Sequence, residues 1–164
     1  MSEFKTSSKN DLKKFIDDKL FKKIFIIAGT KSFNSCGLKE FFRGIENKNI
    51  KYFFKVKPYP DYNELIEIIK NINTFSPDLI IAAGGGSVMD YAKIANVLVY
   101  NSNSLKNIKD SSCKLEKKNR KLLAIPTTAG SGAEVTSNAV IYINNIKYSV
   151  EGELIKPDNF FLIP

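Results

Sequence analysis

The 164-residue sequence has no histidine and no tryptophan. Histidine is the commonest side-chain ligand for zinc and iron and the commonest general base, so the chain lacks both resources in their usual form. Cysteine is nearly as scarce: Cys36 and Cys113 stand far apart, form no CxxC pair, and read as plain thiols. Long apolar runs are missing too, none approaching the roughly 20 residues of a membrane span. The opening MSEFKTSSKNDLKKF has no apolar core of a secretory signal, so a cytoplasmic chain with no membrane partner is expected. Arginine is confined to Arg43 and Arg120 among 25 Lys and Arg residues, with a net charge of +8. Readers of base edges and bidentate phosphates favour arginine, so this charge reads as a solvated lysine surface, with no nucleic-acid partner.

What is present fits one globular domain: 43% hydrophobic and 26% charged residues, and enough length for a sizeable core. Residues 10–19 read as an amphipathic helix capped by Asn10 or Asp11, and Lys23 to Ala28 as a strand buried on both faces. Ser32 to Ile45 reads as one helix with Cys36, Leu38, Phe41, Phe42 and Ile45 as its apolar stripe. Tyr52 to Val56 is the second expected strand. Asp61 then caps a helix facing inward through Leu65, Ile68, Ile69 and Ile72. Residues 79–83 give a third strand, Val88 to Val99 a helix, and Leu122 to Ile125 a fourth strand. Asn144-Asn145 is flanked by Asn138 to Ile143 and Lys147 to Val150, the pattern of a hairpin. The alternation implies an α/β fold: a Rossmann-like, mainly parallel sheet with helices on both faces and a C-terminal β-hairpin. Such sheets bind ligands at the carboxyl ends of their strands, here at the polar turns after the third and fourth.

The first turn is Gly84-Gly85-Gly86-Ser87, between a buried strand and a helix expected to start at Ser87. Glycines let backbone approach a phosphate, and the helix N-terminus adds free N–H groups and a positive dipole end. A pyrophosphate site and a plain tight turn both fit these residues. Asp90 reads as a first-turn carboxylate opposing the dipole, and is counted with the ligand site as well. The second turn, Pro126 to Thr136, offers the hydroxyls of Thr127, Thr128 and Ser131 with no strong base; Ser131 and Glu134 also have capping-box spacing.

Taken in order, GGGSVMDYAK at 84–93 and PTTAGSGAEVT at 126–136 resemble the iron-containing (group III) alcohol dehydrogenases over essentially the whole chain. The KYS at 147–149 is similar to the phosphonoacetaldehyde-reductase-like members. The family's nearest pattern is PTTxGTGSEVT, so Ser131 and Ala133 are departures. The resemblance implies a dehydroquinate-synthase-like N-terminal domain binding NAD or NADP over residues 1–164. It also implies a following helical domain, absent here, that holds Fe²⁺ or Zn²⁺ through an Asp and three His.

By the same resemblance Gly84, Gly85, Gly86 and Ser87 take the pyrophosphate. Thr127, Thr128 and Ser131 line the phosphate and nicotinamide side, and Lys147 reaches the nicotinamide ribose. Where the family often places an Asp against the adenosine ribose, this chain has Thr30, Lys31 and Ser32. A carboxylate would repel a 2′-phosphate and these side chains could donate to it, which favours NADP over NAD. No catalytic residue and no metal ligand is expected within the chain. The implied enzyme reduces a small aldehyde or oxidises the alcohol as a homodimer, this chain being inactive alone. Two alternatives stand: a non-catalytic nucleotide-binding or interaction module, and part of a dehydroquinate-synthase-like lyase; an exposed apolar face around Phe160, Phe161 and Leu162 would favour a fragment or an obligate partner.

Overall fold

The computed structural model describes residues 7–18, 21–115 and 117–163. Its elements in chain order are α1 (Lys9–Asp18), β1 (Lys23–Ala28), α2 (Thr30–Ser35), α3 (Leu38–Arg43), β2 (Asn49–Phe54), α4 (Tyr62–Phe75) and β3 (Leu79–Gly84). They continue with α5 (Gly86–Val97), α6 (Ser104–Lys109), β4 (Lys121–Pro126), β5 (Asn138–Ile143), β6 (Ile146–Glu151), a 3₁₀ turn (Glu153–Ile155) and β7 (Asn159–Phe160).

Five strands form one parallel sheet in the order β2-β1-β3-β4-β7, and β5-β6 form a separate antiparallel pair. Strand alternation divides the apolar side chains between two layers. Phe25, Ile27, Ile80, Ala82, Leu122 and Ala124 face α4, α5 and the hairpin, whereas Ile24, Ile26, Leu79, Ile81, Leu123 and Ile125 face α1, α2 and α3. This is the expected architecture. Since β2 and β3 flank β1 on opposite sides, the strand order reverses between β1 and β3, and open α/β sheets bind ligands at that point.

The differences from expectation are local. Ser8, not Asn10 or Asp11, caps α1: Asp11 N–H donates to Ser8 Oγ (3.1 Å), and the Asp11 carboxylate accepts from Ser8 N–H (2.7 Å). The helix expected over 32–45 is two, α2 and α3, broken at Gly37, whose φ of +63° cannot continue an α-helix. Helix α2 buries Phe33, outside the expected stripe. Strand β2 lies three residues earlier than expected at its start, because Pro58 and Pro60 act only after a further loop, residues 55–60. Phe160, Phe161 and Leu162 are half-buried rather than an open apolar face; Phe161 packs edge-on against Phe15 at 5.5 Å.

Candidate functional site

The two glycine- and hydroxyl-rich turns meet. Thr127 N–H donates to the Gly84 carbonyl at 3.0 Å, joining the end of β4 to the end of β3. Helix α5 begins at Gly86 with Gly85 as its N-cap, one residue earlier than expected. Both glycines before the helix are there for closeness. A Cβ at Gly84 would lie 2.6 Å from Val88 Cγ2, so this residue lets α5 pack onto its strand. A Cβ at Gly85 would lie 3.1 Å from Thr128 Oγ1, so this one admits the second turn. No capping side chain covers the start of α5, which leaves its N–H groups and dipole end facing the cleft.

Beside this junction opens a cavity of about 550 Å³ lined by Pro126, Thr127, Thr128, Ala129, Gly130, Glu134, Cys36, Leu162 and Ile163. Its size is that of a small-molecule or cofactor site. Thr128, which lines it, and Ser131, beside Gly86, are exposed, and the Thr127 hydroxyl oxygen is buried with no hydrogen-bond partner. A buried orphan hydroxyl beside an uncapped helix start fits a ligand rich in acceptor oxygens.

Two sequence expectations are placed differently. Residues 131–136 form a turn and no helix, so Ser131 and Glu134 are no capping box; Ser131 Oγ instead accepts from Ala133 N–H at 3.4 Å. Asp90 lies beyond the first turn of α5, too deep to answer the dipole. Burial raises its carboxyl to about 6; the Lys93 ammonium, the Val140 backbone N–H and the Lys147 ammonium oppose that rise. Thr30, Lys31 and Ser32 lie after β1: Thr30 and Lys31 are exposed, and Ser32 Oγ donates to the Gly29 carbonyl at 3.2 Å. Thr30 lines a different cavity, of about 300 Å³, with Phe33, Asn34, Lys39, Arg43, Tyr52 and Phe54. Lys147 is exposed on β6, close enough to act on Asp90.

Sequence reasoning quoted Lys93 within its motif and gave it no role. It is fully buried, and its ammonium donates to Thr136 Oγ1 (3.0 Å) and the Asn138 carbonyl (2.9 Å). A lysine on the apolar face of a helix leaving a buried strand was the available signal. The Glu64 carboxylate accepts from the Tyr91 hydroxyl and from Lys57 N–H (3.2 Å), which fixes the loop before α4. Both cysteines are free thiols, and burial pushes that of Cys113 up.

Among the described residues no three Cys, Asp or Glu side chains converge as metal ligands, and no helix is long and apolar enough to cross a membrane. The residues present do not fit an iron or zinc ion.

Comparison with known proteins gives a family model, iron-containing alcohol dehydrogenase, that matches residues 3–164. An alcohol dehydrogenase of Thermococcus barophilus is 32% identical over 149 residues, which are 85% of this chain and 39% of that protein. An NADPH-dependent butanol dehydrogenase of Clostridium saccharobutylicum is 38% identical over 119 residues, 70% of this chain and 30% of that protein. The sulfoacetaldehyde reductase of Bifidobacterium kashiwanohense, solved with NAD⁺, superposes with a TM-score of 0.84 at 20% identity, over 98% of this chain and 43% of that one. The chain thus spans well under half the length of these relatives.

Proposed function

Because the chain belongs to the iron-containing alcohol dehydrogenases, we propose that it is the nicotinamide-dinucleotide-binding part of an oxidoreductase acting on a small aldehyde or alcohol. One observation carries the reading: the uncapped start of α5 and the turn after β4 meet at Gly85 and Thr128, with the orphan hydroxyl of Thr127 beside them. The N–H groups of Gly86 and Ser87 would hold the pyrophosphate, with Thr128 and Ser131 donating to its oxygens. Thr127 would direct its hydroxyl to the nicotinamide half, and Lys147 would reach the ribose there. When bound, the dinucleotide supplies the hydride exchanged with substrate. This chain's part is to bind and orient it; among the described residues the carboxylate lining the 550 Å³ cavity is the half-buried Glu134.

The metal that would polarise the substrate oxygen has no ligands among the described residues, so its helical domain, and activity, would have to come from elsewhere. The homodimer expected from the resemblance belongs to the same proposal. Thr30, Lys31 and Ser32 carry no carboxylate that would repel a 2′-phosphate, which supports NADP, and one relative is named for its NADPH dependence. Fluorescence titration with NADPH and NADH tests this. Tighter NADPH binding is expected in the natural chain, with the preference lost in Lys31→Glu; equal affinities, unchanged by that substitution, would remove the NADP assignment.

A further inference from the structure

Helix α5 is the most buried in the chain, yet Asp90, Lys93 and Asn96 recur on it at three-residue intervals. Each serves the backbone of a neighbouring segment. The Asn96 amide accepts from Arg120 N–H and donates to the Arg120 carbonyl, both at 2.8 Å. Lys93 donates to the Asn138 carbonyl at 2.9 Å, and the Asp90 carboxyl lies near enough to the Val140 N–H for that dipole to lower its pKa.

The last two contacts fall on one edge of β5. That strand pairs with β6 along its other edge, and Tyr142 N–H, two residues beyond Val140, donates to the Pro60 carbonyl at 2.7 Å. Asn138, Val140 and Tyr142 therefore alternate along the outer edge, as the period of two requires. On that edge Lys93 supplies a donor that a neighbouring strand would have supplied, and Asp90 sets a negative charge near the Val140 N–H. Lys93 also holds Thr136, so the same ammonium pins the end of the turn bearing Thr127, Thr128 and Ser131.

We propose that Asp90 and Lys93 form a charged latch that seats the hairpin and the turn of residues 126–137 against α5, and so sets dinucleotide affinity without touching the ligand. They are positioning residues, and the affinity clause rests on the dinucleotide reading above. The latch is responsive because Lys93 is fully buried and Asp90 partly so: burial raises the Asp90 carboxyl to about 6 and lowers the Lys93 ammonium to about 8. The charged groups facing the pair are each other, Glu134 from the turn and Lys147 from β6. Of the other acids on elements packed against α5, Glu64 is engaged by Tyr91 and Glu153 by Ser137 (2.9 Å). The latch is fully charged between those two values; because seating raises the Asp90 carboxyl, its protonation in acid favours the seated hairpin, and the latch loosens as pH rises through about 6.

Hydrogen–deuterium exchange of the full chain, with NADPH titration in parallel, tests the latch in Lys93→Met and Asp90→Asn. Lys93→Met is expected to speed exchange over residues 127–143 by about tenfold and to weaken NADPH to a similar degree, the weight of one charge-assisted hydrogen bond. The amides of β1 and β3 should stay protected. In the natural chain, exchange corrected for its intrinsic pH dependence should change over 127–143 through about pH 6. Asp90→Asn, which keeps an acceptor oxygen and folds without the charge, should show no such change. Unchanged exchange in Lys93→Met, or acceleration spread evenly through β1 and β3, would overturn the latch; so would a pH response surviving in Asp90→Asn. If the natural chain takes up no NADPH, the dinucleotide reading and the affinity clause fall together, and exchange alone decides whether the latch exists.

Discussion

At Gly85 the backbone is extended (φ −80°, ψ −173°), a conformation open to any residue, so a side chain there is resisted by Thr128 and not by strain. Gly85→Val should force the two turns apart, costing about 1–3 kcal/mol as overpacking does, and abolish dinucleotide binding while the sheet persists. Circular dichroism beside a binding titration checks both halves. Asp90 and Lys93 give opposite pH effects on stability. The folded Asp90 carboxyl keeps its proton to about pH 6 against 3.8 ordinarily, so the folded chain binds more protons in that window and stability falls as pH rises across it. For Lys93 the folded value is about 8 against 10.5, so the unfolded chain binds more protons there and stability rises with pH. Urea midpoints from pH 4 to 10 should show a fall, a plateau and a rise, with the fall absent in Asp90→Asn. The glycine and hydroxyl motifs were legible because close approach leaves a compositional trace. The role of Lys93 was not, because its partners lie in a turn and strand some 45 residues later.

The elements divide in the same way. Helix α4 was legible from its stripe and its cap, and Asp61 does accept from Asn63 N–H (3.0 Å) and Glu64 N–H (3.2 Å). Asp61→Ala should therefore cost about 1 kcal/mol in urea unfolding, and Asp61→Asn much less. The hairpin was legible from Asn144-Asn145, both of which take the positive φ (51° and 64°) that a two-residue connection demands. The break between α2 and α3 was missed because periodicity alone runs through a glycine, and only the left-handed φ of Gly37 stops it. The false capping box at Ser131 and Glu134 has a related cause. Spacing can specify a cap, but nothing in Gly132-Ala133 supplies an apolar helical face to follow it.

For the whole molecule, alternation of strand and helix gave a parallel α/β sheet, and the family match and the fold agree with it. What alternation could not give was strand order, which rests on contacts distant in sequence; it places the reversal between β1 and β3, beside the ends of β3 and β4 where Gly85 meets Thr128. The central claim is that this junction binds a nicotinamide dinucleotide. Calorimetric titration of the chain with NADPH and with NADH tests it most directly. Saturable heat from at least one, lost in Gly85→Val, is the predicted result; a folded chain giving no heat with either at millimolar concentration would contradict the account.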